Sequence, residues 1–304
     1  MRTRRPHAAL AFLLSLAIGG CAAKAQELAK EEAPAPLTRV VRLSIRVVGN
    51  GGDAYLELPL AQSDEHQTIS NEKILGRGFR VEQVMRDGNR LAVLTYPKLE
   101  GPRRITYEFT AAMVASTVPV VPVPVSKGGE PPEDDRVWLR PTKQLQSTSP
   151  IVREKLIGFA GPKLVEGEDD AIKLAWALSS SGFRRKPDGS KTVLKAVRTG
   201  HASDKGLDRL FATFLRTSGV PSRPVIGVEV GRAKAKSRFA HWVEVKSGGR
   251  WAPMSVPRDQ WGKLPARYVK LAHGDRPFLV RDGVGSVSFH WKVAKPVTTS
   301  EATP

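Results

Sequence analysis

From residue 41 the chain alternates, with Val41, Leu43, Ile45 and Val47 on one side and Arg42, Ser44 and Arg46 on the other. A period of two predicts a half-buried strand. Tyr55 to Leu60 and Ile105 to Val114 repeat that pattern, while Phe79 to Met85 and Leu91 to Tyr96 flank Asp87-Gly88-Asn89 as a hairpin. Short strands divided by turns predict a β-sandwich over residues 38–115. The period then changes. Ile151 to Ala160 and Glu168 to Ser180 read as helices, the second opened by Asp169 and Asp170 and stopped by Gly182. Thr192 to Arg198 is a short helix ending at Gly200. Leu207, Leu210, Phe211, Phe214 and Leu215 recur at spacings of three and four, which predicts a buried-stripe helix capped by Ser203 or Asp204 and ended by Gly219 and Pro221. Strands follow at Val225 to Val230, Phe239 to Lys246, around Trp251, Arg267 to Leu271, Phe278 to Arg281 and Ser286 to Val293. Between the halves, Pro119, Pro122 and Pro124 alternate with valines and favour extended polyproline geometry. The expected class is α+β: a sandwich at 38–115, a Pro-rich linker at 116–135, an α+β domain at 136–295 and a disordered tail at 296–304.

The first twenty residues carry a different pattern. Arg2, Arg4 and Arg5 precede an apolar run from Ala8 to Ile18, long enough for an export signal and too short to span a bilayer as a helix. Leu16-Ala17-Ile18-Gly19-Gly20-Cys21 resembles the bacterial lipoprotein signal. That resemblance implies removal of residues 1–20, lipid on Cys21, a tether over 21–37 and, with Ala22 next, a periplasmic protein sorted to the outer membrane. Ala23-Lys24-Ala25 also fits ordinary signal cleavage, which would discard Cys21.

Composition narrows the chemistry. Cys21 is the single cysteine among 304 residues, so no intramolecular disulfide and no multi-cysteine zinc site can form. The net charge of +18 is lopsided, because residues 38–115 contribute +2 and residues 136–304 contribute +17. Such an excess suits an anionic partner such as acidic glycan or lipid headgroups. Without basic-aromatic runs or zinc-finger spacing, nucleic acid is not expected. Glu166, Glu168, Asp169 and Asp170 lack calcium-loop spacing and read as helix-start chemistry. His66, His273 and His290 lack ligand spacing, so neither metal nor cofactor is expected.

The run from Phe211 to Arg223, then Val225-Ile226-Gly227, Trp242-Val243-Glu244-Val245 and Gly249-Arg250-Trp251, resembles the core of the transglutaminase-like superfamily, with its papain-like fold. The resemblance covers roughly residues 136–295 and implies a cleft for an extended chain. It also implies a catalytic cysteine at the helix start, a histidine two residues before the strand tryptophan and an aspartate after the next tryptophan. A thiolate attacks the acyl carbon, the imidazole moves protons and the carboxylate orients it. Those positions hold Asp204 (or Ala202, with a two-residue slip), Ala240 and Ser255. His241 is one place late, and one residue on a strand turns a side chain to the other face. The expected function is therefore a catalytically degenerate module that binds peptide or protein, with Trp242, Glu244 and Trp251 at the cleft. The basic loop from Gly231 to Arg238 adds attraction for anions. The alternative is a hydrolase or acyltransferase in which Ser203, at a helix N-terminus, uses His241 or His201 as its base.

Overall fold

The alternating first half forms β1 (Leu37–Asn50), β2 (Ala54–Pro59), β3 (Gln67–Gly76), β4 (Arg80–Arg86), β5 (Asn89–Tyr96) and β6 (Glu100–Met113). The computed structural model describes residues 35–123, 132–161, 170–231 and 238–294. Two four-stranded sheets face each other. One runs β17 (Val284–Ala294), β1, β6, β3, and the other β16 (Val280–Asp282), β2, β5, β4. The inward residues of β1, Val41, Leu43, Ile45 and Val47, are fully buried against Leu56, Leu58, Leu94, Tyr107 and Phe109. Asp87 and Gly88 both take positive φ, 49° and 71°, as a two-residue turn between twisted strands requires.

Two parts of the sandwich differ from the sequence expectation. β3 carries too many polar residues to show a period of two, because it is an edge strand with little buried surface and a register shift between Ser70 and Lys73. The last two strands, expected within 136–295, pair instead with the first half: Val280 to Asp282 with β2, and Val284 to Ala294 with β1, in a register that sets Trp291 opposite Leu43. Alternation reveals that a segment is a strand but carries no information about its partner.

The second half contains α1 (Glu133–Arg136), α2 (Pro150–Ala160), α3 (Ala171–Ser181), α4 (Val193–Thr199) and α5 (Asp204–Thr217). Asp170 caps α3 through the backbone N–H groups of Ile172 and Lys173; Glu166, Glu168 and Asp169 lie outside the described residues. A short parallel pair joins β8 (Arg184–Ser190) to β9 (His201–Ala202). The main sheet runs β13 (Gln260–Trp261), β12 (Arg250–Ser255), β11 (Arg238–Ser247), β10 (Ser222–Glu229), β15 (Tyr268–His273). The apolar stripe of α5 packs on it, burying Leu210, Phe211, Phe214 and Leu215 with Val243, Val245 and Met254. Arg216 ties the helix end to the sheet by donating to the Ser222 carbonyl from two nitrogens, at 3.1 and 2.7 Å. Val228, Val230, Val269 and Leu271 are continuous with the sandwich core.

The described part of the Pro-rich segment is extended and bonded along its length. β7 (Ser116–Thr117) pairs with β14 (Lys263–Leu264), the Val118 N–H donates to Gly262 at 2.8 Å, and Val121 both donates to and accepts from the Ser247 hydroxyl. Contacts of this kind place Pro36–Pro304 in one compact unit.

At Gly227, on β10, an added Cβ would lie 2.4 Å from the Val269 carbonyl oxygen and 2.5 Å from the Trp242 ring. Gly227→Ala is expected to cost about 1–3 kcal/mol through overpacking, read as a lower urea midpoint at unchanged slope.

Candidate functional site

The start of α5 is built by short-range geometry. Gly200 takes a left-handed φ of 69° and ends α4, so that His201 and Ala202 can turn back beside β8. Ser203 is the N-cap: its hydroxyl accepts from the Gly206 N–H at 3.2 Å and donates to the Ser190 carbonyl at 3.2 Å. Gly206 allows this approach, since a Cβ there would fall 2.0 Å from the Ser190 oxygen. The helix therefore begins flush against the end of β8.

Asp204 is held by a two-point ion pair. Arg185 donates from Nε to Oδ1 at 2.6 Å and from its terminal nitrogen to Oδ2 at 2.8 Å. One turn on, Asp208 is 3% exposed. Its Oδ2 accepts from the Ser255 hydroxyl at 3.4 Å and lies 4.0 Å from Arg258, while Oδ1 has no partner. Burial drives the Asp208 carboxyl well above its usual range, against the opposing pull of Arg258 and the Ser255 hydrogen bond. Arg258 also donates to the Ser255 hydroxyl at 3.2 Å and to the His241 carbonyl.

His241 faces this cluster. On β11 the even positions Ala240, Trp242 and Glu244 share one side, and the odd positions His241, Val243 and Val245 share the other, where α5 packs. The β10–β11 register is regular, with Ile226 opposite His241, so no bulge is needed to turn the ring inward. This corrects the expectation that His241 points away from the helix start; Ala240 is the residue on the far side, packed with Val225, Trp242, Leu264 and Tyr268. Burial first, then Lys205, Arg209, Arg258 and Lys191, push the His241 imidazole down to about 3. Its ring nitrogens make no hydrogen bond among the described residues.

Asp204, Asp208, Ser203 and His241 line an open cleft of ≈ 740 Å³ whose other walls include Arg185, Pro187, Lys191, Lys205, Phe239 and Arg258. A cavity of ≈ 20 Å³ adjoins it, with Lys205, Asp208 and His241 shared and Arg209 and Asp275 added. Ser255 is fully buried beneath. His201 is turned elsewhere, with Nδ1 at 2.6 Å from the Thr199 carbonyl.

The aromatic and acidic candidates lie elsewhere too. Trp251 and Glu244 border a separate pocket of ≈ 120 Å³ on the opposite side of the sheet. Glu244 is buried between Arg223 (2.6 Å) and Lys270 (2.8 Å). Burial raises its carboxyl, and the two cations more than offset that and hold it below its usual range. The Arg223 guanidinium stacks 4.2 Å from the Trp251 ring centroid. Trp242 is 1% exposed and covers Gly227. Shared parity on β11 and β12 keeps Glu244 and Trp251 on the far side of the sheet from the cleft at α5, while Trp242 borders only the adjoining ≈ 20 Å³ cavity. The sequence did not single out Lys191, Lys205, Asp208, Arg209 and Arg258. A signal existed in the spacing of Asp204 with Asp208 and of Lys205 with Arg209, each four apart and so on one helical face. Cys21 and the loop residues Arg232, Lys234 and Lys236 lie outside the described residues. Among the described residues no group of three His, Cys, Asp or Glu is placed to hold a metal, and no helix is long and apolar enough to cross a membrane.

The helix that begins at a cleft wall, and the strands packed on it, decide the comparison. Residues 169–256 match the transglutaminase-like superfamily. A candidate cysteine protease from Cytophaga hutchinsonii shares the fold with a TM-score of 0.65 at 15% identity, over 85% of this chain and 90% of that one. A candidate protease from Parabacteroides distasonis is 9% identical over 72% of this chain and 64% of that one, with a TM-score of 0.26, too low to argue from. No curated protein matches. The shared fold covers the β-sandwich as well as the transglutaminase-like region.

Asp204 is clamped by Arg185, Ala240 is buried on the side of β11 away from α5, and Ser255 is buried beneath the cleft. Among the described residues no hydroxyl is hydrogen-bonded to the His241 ring, and the hydroxyl that bonds to Asp208, that of Ser255, is fully buried. Because the folded His241 imidazole sits below its unfolded value, the unfolded state binds the extra proton. Its contribution is fully present above pH 6.5 and is lost as pH falls toward 3. His241→Gln should therefore flatten the acid limb of a thermal-melt series between those values, by at most about 1.4 kcal/mol per pH unit.

Proposed function

We propose that the chain is an exported cell-envelope protein whose transglutaminase-like region binds peptide or protein in the cleft at α5 and does not turn it over. The observation that carries this reading is the Arg185 clamp on Asp204 beside a cleft that stays open at ≈ 740 Å³. A carboxylate fixed by two charge-assisted hydrogen bonds is a poor nucleophile. The Ser203 hydroxyl at the helix start donates to the Ser190 carbonyl. An imidazole near 3 is too weak a base to take a hydroxyl proton at neutral pH. The fold supplies a groove suited to an extended chain, and fold likeness alone does not supply a reaction.

The same reading places the protein in the periplasm, anchored to the outer membrane by lipid on Cys21, on the strength of the Arg-rich start, the apolar run and the small residues before the cysteine. Intact-mass measurement of protein from membranes should find acylated Cys21 as the first residue; a chain starting at Gln26 would overturn the anchor.

The pseudoenzyme reading is tested with fluorogenic amide and ester peptides on the purified protein. Turnover should match buffer alone, and Ser203→Ala should cost about 1 kcal/mol of stability through its lost cap, read as a lower melting temperature. Turnover abolished by Ser203→Ala or His241→Ala would instead establish the hydrolase.

A further inference from the structure

The cleft at α5 is cationic, and its cations differ in how they are used. The three guanidinium groups are engaged: Arg185 with Asp204, Arg209 with the Lys191 carbonyl (2.9 Å) and Asp275 (3.6 Å), and Arg258 with Ser255 and the His241 carbonyl. Lys191 and Lys205 make no ion pair or side-chain hydrogen bond among the described residues. Asp208, 97% buried by its 3% exposure, adds a free Oδ1 on the same wall. Phe239 supplies the apolar side, 36% exposed and packed edge-on against Phe278 at 4.6 Å.

We propose that this cleft is a carboxylate site, in which Lys191 and Lys205 hold a carboxylate of an extended peptide between the free oxygen of Asp208 and the ring of Phe239. The inference rests on the peptide-binding reading and names its chemistry. Two lysines act as point charges and suit a monoanion, and the arginine forks that would favour bidentate recognition of a phosphate are occupied here. The start of a fourteen-residue helix adds its positive end. Asp208 would repel an anion if ionised; burial raises its carboxyl well above the usual range and so favours the protonated form, which can donate a hydrogen bond. The carboxylate can come from an acidic side chain or from a free C-terminus.

Lys205 gives the site a pH signature. Burial first, then Arg209 and Lys191 against the opposing pull of Asp275, bring its ammonium down to about 8. Facing it are Asp204, Asp208 and Arg209 on α5, Lys191 before α4, Arg185 on β8, His241 on β11, Arg258 after β12 and Asp275 after β15. With His241 neutral down to about 3, binding should be flat from pH 6 to 7 and decline as pH rises through about 8.

The test titrates the full-length protein by calorimetry with four hexapeptides: acidic side chains with an amidated end, neutral with a free end, neutral with an amidated end, and basic. One of the first two should bind at least about tenfold tighter than the last two, and which one names the carboxylate's source. Lys205→Gln and Lys191→Gln should each weaken that binding about tenfold at unchanged melting temperature, and Lys205→Arg should keep it while removing the loss near pH 8. Equal binding of all four peptides, indifferent to both lysines, would overturn the carboxylate site and leave the peptide-binding reading standing. Binding of none would overturn both. Displacement by inorganic phosphate at lower concentration than by acetate would show an anion site of another kind and overturn the assignment.

Discussion

The outer edge of β15 is the constraint on which the rest depends. β15 ends the five-stranded sheet, so the backbone on its free side would face solvent or invite another strand. Side chains from the sandwich occupy that side instead. Gln67 donates to the Lys270 carbonyl and accepts from its N–H, both at 2.8 Å; Asn89 does the same for His273 at 3.0 and 2.8 Å; the His66 ring lies 2.8 Å from the Tyr268 carbonyl. Below them Lys270 bridges Glu244 on β11 to Asp64 in the sandwich. These bonds join the two β layers, and they use the sheet face that α5 does not cover.

Division of labour between the two faces of β11 follows. The side that carries Trp242 and Glu244 is committed to holding sheet and sandwich together, through a buried ion cluster in which each charge has its partner. Losing one member would strand the others in low dielectric, so this face is poorly suited to exchange of ligand. The opposite side meets the first turns of α5, where the helix start, the end of β8 and the turn after β12 leave a gap. Its charges are unbalanced, and its polar groups include a carboxyl oxygen and two lysines that have no partner among the described residues. A surface left incomplete in this way is where a ligand can gain affinity without displacing structure.

Much of the fold was legible because it rests on short-range periodicity. The alternation in β1 and β6, the Asp87-Gly88 turn, the Gly200 and Ser203 boundaries of α4 and α5, and the stripe on α5 all follow from one residue and its near neighbours. β3 escaped because an edge strand buries little, and the register shift between Ser70 and Lys73 breaks the alternation of the few residues that pack inward. The pairing of β16 and β17 with the first half escaped because partners hundreds of residues apart share no local signal.

The sequence by itself determined the element types, the α+β class, the transglutaminase-like resemblance and the fact that no cysteine stands at the start of α5. Those statements depend on residue identity and spacing. Only the tertiary structure decided which face of β11 meets the helix, and with it that His241 lines the cleft while Trp242, Glu244 and Trp251 do not. Parity separates the two sets of residues, but which set looks toward α5 is fixed by packing between distant elements. The same packing half-buries His241 and Lys205 among cations, so the pH at which each changes charge is a property of the fold rather than of the side chain.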